Sequence, residues 1–219
     1  GDDYWTDPLK LQKQVDFLGE NEEYVLCFTN CKTIDESNKV KNPNFLATDK
    51  DKDYTINDLM FVAPTLTRVF RNQYLNVNYG KVIALDAIML IEQVKLGKAR
   101  YLNINTSNYR KHDKGIWSLK SNLEKKINYF DVRFYGFKNT NGNVKKSFLK
   151  QCLKAISKIR LLDKLKSEEK YNEFNDYYIK NKYSKSVKVI VYLFSLLNTN
   201  HLLSDKIIYK LQIRLIDKI

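Results

Sequence analysis

Apolar and polar positions change rhythm along this chain, and the rhythm predicts its elements. From Thr6 to Gly19 the apolar residues Leu9, Leu11, Val15 and Leu18 form a stripe at near-helical spacing. Thr6-Asp7-Pro8 ahead of them reads as a helix start, with a capping side chain and a proline in the first turn. "EYVLCFTNCKTID" (Glu23 to Asp35) is rich in β-branched and aromatic residues and too short for a good helix, so it predicts a strand. "KNPNFLATDKDKD" has no apolar period and predicts a surface loop. "FVAPTLTRVFRN" (Phe61 to Asn72) reads as a second extended segment. "VIALDAIMLIEQVKLGK" spaces Ile83, Ala87, Leu90, Ile91 and Val94 as a helix, with Gly97 as its C-cap. "ARYLNINTSNYRKH" (Ala99 to His112) alternates like a strand.

Helix, strand, loop, strand, helix and strand in that order predict an α/β fold. From Ser118 the texture becomes that of Lys-rich amphipathic helices, over residues 118–137, 143–166, 168–181, 185–198 and 203–218. "NTNGN" (Asn139 to Asn143) is the one break that reads as a linker, so the expected organisation is 1–138 followed by a basic helical extension, 139–219.

Composition narrows the picture. The 219 residues are 43% apolar, enough for a core, and no apolar run reaches the ~18 to 20 residues that cross a bilayer. Nothing marks the chain for export, and Cys27, Cys31 and Cys152 lack a CxxC pair or metal spacing, so the expected compartment is the reducing cytoplasm. The net charge of +13 is uneven: residues 1–60 hold 7 Lys and Arg against 13 Asp and Glu, and residues 141–219 hold 17 against 7. The basic end predicts an anionic partner, whether membrane surface, nucleic acid or acidic protein.

Asp2 and Asp3 are adjacent acids. Such a pair can share Mg²⁺ or Mn²⁺ with phosphate oxygens, or can simply be a solvated turn ahead of a helix. The surrounding residues add to this. "GDDYWTDPLKLQKQVDFL" followed by "YVLCFTNCKTIDE" resembles the middle of bacterial family 2 glycosyltransferases, where a D-x-D-type motif closes a strand and runs into a Tyr-Trp, a Thr-Asp-Pro turn and a Lys-Leu-Gln-rich helix. "TLTRVFRN" (Thr65 to Asn72) and "YRKHDKGIWS" (Tyr109 to Ser118) resemble later family segments in the family's order, so that the resemblance covers about residues 1–120.

The resemblance implies a GT-A fold in which Asp2, Asp3 and His112 meet a metal-bound donor diphosphate, with a divalent metal (Mn or Mg) as cofactor. It implies that Arg110 pairs with phosphate, the alternative being that Arg110 and His112 only end a strand and cap a helix. Asp86 in "ALDAIMLIEQ" falls in the slot of the catalytic base, although Leu85 stands where the family has glycine or an acid, and Asp86 could equally be a dipole partner at its helix start. Trp5 and Trp117 could stack on sugar or nucleobase rings, or pack in the interior. His201 reads as a surface residue.

The implied function is transfer of a sugar from a nucleotide-diphosphate sugar to a saccharide or lipid-linked acceptor, with inversion, in cell-surface polysaccharide biosynthesis. The absence of a Gln-x-x-Arg-Trp run points to single addition. The first acid of the motif would precede Gly1, so the resemblance implies a C-terminal fragment without the nucleotide-binding half, inactive alone. "SVKVIVYLFSLLN" and "KIIYKLQIRLIDKI" suit peripheral association with the inner face of a membrane, or packing as a helical subdomain. No nucleic acid partner is expected from the family. The alternative function is a non-enzymatic basic helical module that binds anionic membrane or nucleic acid.

Overall fold

A computed structural model of the chain describes residues 2–58, 61–73 and 84–157. It is mixed α/β, with a six-stranded sheet and four helices among those residues. The chain divides into two compact units, Gly1–Lys120 and Ser121–Ile219.

The first unit is built on two long parallel strands, β2 (Tyr24–Ile34) and β6 (Lys98–Arg110), paired from Tyr24↔Lys98 to Ile34↔Arg110. Ten of the eleven β2 residues are buried, the pattern of a strand covered on both faces. The connection between them includes the helix α2 (Leu85–Val94), as a parallel pair requires. Four short antiparallel strands finish the edges. The free edge of β6 takes β4 (Lys52–Tyr54) at its start and β1 (Tyr4–Trp5) at its end. The free edge of β2 takes β5 (Val69–Phe70) and β3 (Val40–Asn42).

Two apolar clusters hold these layers. Val25, Leu26, Phe28, Ala99 and Tyr101 of the sheet pack with Leu90 and Val94 of α2, while Tyr24 and Cys27 pack with Leu18 of the helix α1 (Lys10–Glu20). Each large side chain so buried contributes about 1.5–3 kcal/mol.

Three expectations are corrected here. First, α1 does not bury the Leu9, Leu11, Val15 stripe. Those residues are exposed, and the inward face is Lys10, Gln14 and Leu18, four residues apart. Gln14 is held on that face: its Nε2 donates to the carbonyls of Thr67 at 2.9 Å and Cys27 at 3.3 Å. Second, the polar stretch after β2 contains strand pairing. β3 overlaps its start and β4 its end, and Asn30 ties the loop down by donating to the Leu46 carbonyl and accepting from the Leu46 N–H. Residues 61–72 are only partly extended, because a 3₁₀ turn at Thr65–Thr67 precedes β5. Third, Gly97 is not the cap of α2, which ends at Val94. A β-carbon on Gly97 would stand 2.7 Å from Val25 Cγ1 and 2.8 Å from the Glu23 carbonyl oxygen, so glycine is needed for close approach to the start of β2.

The second unit opens with α3 (Asn122–Asn139), whose start is fixed by a capping box: Ser121 Oγ accepts from Glu124 N–H while Glu124 accepts from Ser121 N–H. Its partner is α4 (Gly142–Ser157). "NTNGN", read from sequence as a linker, supplies the tight turn between these two helices. Phe130, Val132, Phe134 and Phe137 of α3 and Phe148, Leu149 and Cys152 of α4 are buried. The helices expected beyond residue 157 lie outside the described residues, and so does His201. Among the described residues no helix is long and apolar enough to cross a membrane.

Gly136 leaves room for the Phe148 ring against α3, since a β-carbon there would stand 2.4 Å from Phe148 Cε1. Gly136→Ala is therefore expected to lower stability by about 1–3 kcal/mol, read as a shifted denaturation midpoint. An unchanged midpoint would contradict this packing.

Candidate functional site

The site begins where β1 meets the end of β6. Tyr4↔Asn108 and Trp5↔Ser107 are paired, and this register carries the preceding acids alongside Arg110. Asp3 Oδ1 accepts the Arg110 main-chain N–H at 2.9 Å, and Asp2 Oδ2 lies 2.8 Å from His112 Nε2. Residues more than a hundred positions apart thus meet at one edge of the sheet. The Asp2 side chain is 63% exposed, and Asp2 Oδ1 and Asp3 Oδ2 have no protein donor among the described residues.

Arg110 holds the cluster together. Its Nε donates to the Asp2 carbonyl at 3.2 Å, its Nη1 to the carbonyls of Asp35 at 2.9 Å and Glu36 at 3.3 Å, and its Nη2 to Asn38 Oδ1 at 2.7 Å. The donors that the resemblance turns toward a diphosphate are thus engaged by the chain's own acceptors. Asp35 is anchored in turn: hydrogen bonds from the Ser37 hydroxyl and Lys41 hold its carboxyl well below the usual range. The turn that receives Arg110 is therefore itself fixed.

Asp86 lies in the first turn of α2, which turns positive dipole toward its carboxylate. Oδ2 accepts from Thr65 Oγ1 at 2.9 Å and stands 3.7 Å from Arg68 Nη2. Arg68 is a buried fork: Nη1 donates to the Asp86 carbonyl at 2.8 Å, and Nε and Nη2 donate to the Ala63 carbonyl at 2.8 and 2.5 Å. Its own pKa is drawn down by burial and supported by the Asp86 charge. Asp86 Oδ1 has no donor among the described residues, and the side chain is 48% exposed. One oxygen is clamped and the other is presented to solvent, which suits a proton acceptor.

Trp5 links the two clusters. It follows Asp3 and Tyr4 in the chain, and its Nε1–H donates to the Leu66 carbonyl at 3.0 Å. Leu66 sits beside Thr65 in the 3₁₀ turn that holds Asp86. Trp117 stands apart from these contacts, half-exposed in the turn after His112. The thiols offer no nucleophile: burial pushes Cys27 up to about 11 and Cys31 up to about 12. Thr65, Arg68 and Lys10 are the residues sequence reasoning missed. "TLTRVFRN" was legible as a segment, but nothing in it shows that Arg68 turns inward.

The donor types of the N-terminal cluster are ones that a divalent cation accepts. Two carboxylates and an imidazole are hard or borderline donors, and Mg²⁺ or Mn²⁺ is often held by one or two carboxylates plus substrate phosphates. Among the described residues no group of three or more His, Cys, Asp or Glu side chains is arranged to hold a metal ion.

No protein-family model matches the chain. It is similar to uncharacterized protein Mb1547 of Mycobacterium bovis and to uncharacterized proteins MT1570 and Rv1520 of Mycobacterium tuberculosis. Each is 33% identical over 122 residues, 53% of this chain. The chain spans 34% of the length of each relative.

Arg68→Lys keeps the charge but removes the fork that serves two carbonyls. It is expected to lower stability by about 1–3 kcal/mol in chemical denaturation, whereas Thr65→Val, at an exposed position, should move it by less than about 0.5 kcal/mol. Equal effects would contradict the clamp.

Proposed function

We propose that this chain is part of a GT-A-type glycosyltransferase that moves a sugar from a nucleotide-diphosphate donor to an acceptor hydroxyl. The observation that carries the reading is the meeting of Asp2, Asp3, Arg110 and His112 at one sheet edge, joined through Trp5 and the Thr65–Thr67 turn to a clamped Asp86. The order of the motifs in the sequence supports it independently.

In this reading Asp2, Asp3 and His112 hold the metal and face the donor diphosphate. A bound Mg²⁺ or Mn²⁺ supplies positive charge against the departing diphosphate. Asp86 Oδ1 takes the proton from the acceptor hydroxyl. The hydroxyl oxygen then bonds to the anomeric carbon from the side opposite the leaving group, the bond from that carbon to the diphosphate oxygen breaks with its electron pair, and the configuration inverts. Thr65 and Arg68 hold the base in place, and Arg110 positions the acids. The acceptor is a saccharide or lipid-linked saccharide of a cell-surface polymer, and the reaction runs at the cytoplasmic face of a membrane.

The excess of 17 Lys and Arg over 7 Asp and Glu in residues 141–219 favours a second reading, a basic helical module that binds an anionic membrane. In that reading the acids have no role.

Release of nucleoside diphosphate from a panel of nucleotide sugars, measured with Mn²⁺ on the longest natural polypeptide that contains this segment, separates the two. Asp2→Asn with Asp3→Asn is expected to remove metal-dependent cleavage, and Asp86→Asn to slow transfer by about 10²–10⁴-fold. Undiminished metal-dependent cleavage in the double variant would overturn the assignment.

A further inference from the structure

Lys10 carries a charge that neither cluster uses. The residue is 1% exposed, and its Nζ has no hydrogen-bond partner among the described residues. Among the described residues Cys27 on β2 and Trp5 on β1 lie near it, and neither is a carboxylate. Nζ lies 4.4 Å from the centre of the Trp5 ring. Burial draws its pKa down. An ammonium buried with no counter-charge costs stability, so the fold retains Lys10 against its own interest.

Trp5 shows the other side of that contact. The residue is 52% exposed although its indole N–H is tied to Leu66 and Lys10 lies beneath one face. Lys10 occupies one face, which leaves the opposite face as the one on which a ligand would stack. The result is a fixed, solvent-facing aromatic plate on the turn that also holds Asp86.

We infer that Trp5 is the platform on which the acceptor pyranose stacks, and that Lys10 beneath it favours a sugar bearing a carboxylate over one bearing a protonated amine. A pyranose presents an apolar face of C–H groups that matches an indole ring. Lys10 also holds the plate in place before the ligand arrives, which lowers the ordering cost of binding. Because its charge is uncompensated and buried, its field is weakly screened and extends through the ring to whatever lies on the far face. The placement of the sugar as acceptor rests on the transferase reading of Asp86, whereas the platform itself does not.

The test uses the full chain labelled with fluorotryptophan, whose two tryptophans give two fluorine NMR signals, Trp5 being assigned with Trp5→Phe. Methyl glucuronide, methyl glucoside and methyl glucosaminide are titrated at neutral pH without donor or metal. The Trp5 signal is expected to shift with all three, and the glucuronide to bind about three- to tenfold more tightly than the glucosaminide. Lys10→Met, expected to fold and to be at least as stable, should bring that ratio close to one, and Lys10→Arg should retain it. A Trp5 signal that does not move, or a ratio unchanged in Lys10→Met, would overturn the proposal. Sugar binding intact at Trp5 with no transfer in any assay would instead sink the transferase reading and leave the platform standing.

Discussion

The parallel pairing of β2 with β6 is the contact on which the first unit depends. β2 is buried along almost its whole length, so its register against β6 is set by which side chains must leave water. That register delivers the end of β6 beside the end of β2, where Arg110 reaches the Asp35 and Glu36 carbonyls. β1 then joins the remaining edge of β6 and brings Asp2 and Asp3 to Arg110 and His112. A slip of one residue would send Arg110 and its neighbours to opposite faces and separate the acids from the histidine.

The same pairing explains why so much polar chemistry lies close to the core. Gln14 serves carbonyls of β2 and of the 3₁₀ turn, Arg68 serves the turn and α2, and Asn30 serves the loop after β2. Each joins segments distant in sequence. Gln14 and Arg68 brace the segment that contains the turn Thr65–Thr67, and both Trp5 and Asp86 are fastened to that turn.

β2 was legible in the sequence because a dense β-branched and aromatic run has few other ways to be buried, and β6 because its residues alternate. The candidate acids, His112 and Asp86 were legible as motifs, and the fold brings the acids and His112 together. The inward face of α1 was not legible. Hydrophobic period assigns Lys10 and Gln14 to solvent, but Gln14 is recruited by main-chain acceptors and the long Lys10 stem buries as well as an apolar chain. Gly97 was misread for a related reason, since its role is set by a contact with β2 more than 70 residues away, and local sequence carries no trace of that contact. Short edge strands such as β4 gave no period because three residues are too few to show one.

The central claim is that Asp2, Asp3 and His112 form a cation site that receives a diphosphate. The chain has two histidines, His112 and His201, so their ring signals in proton NMR can be told apart by a single variant. Titration with Mn²⁺ and inorganic pyrophosphate is the most direct measurement. Selective broadening of the His112 signal, lost in Asp2→Asn with Asp3→Asn, is the result expected. Equal broadening of both histidines, or broadening of His112 that survives removal of the two acids, would contradict it.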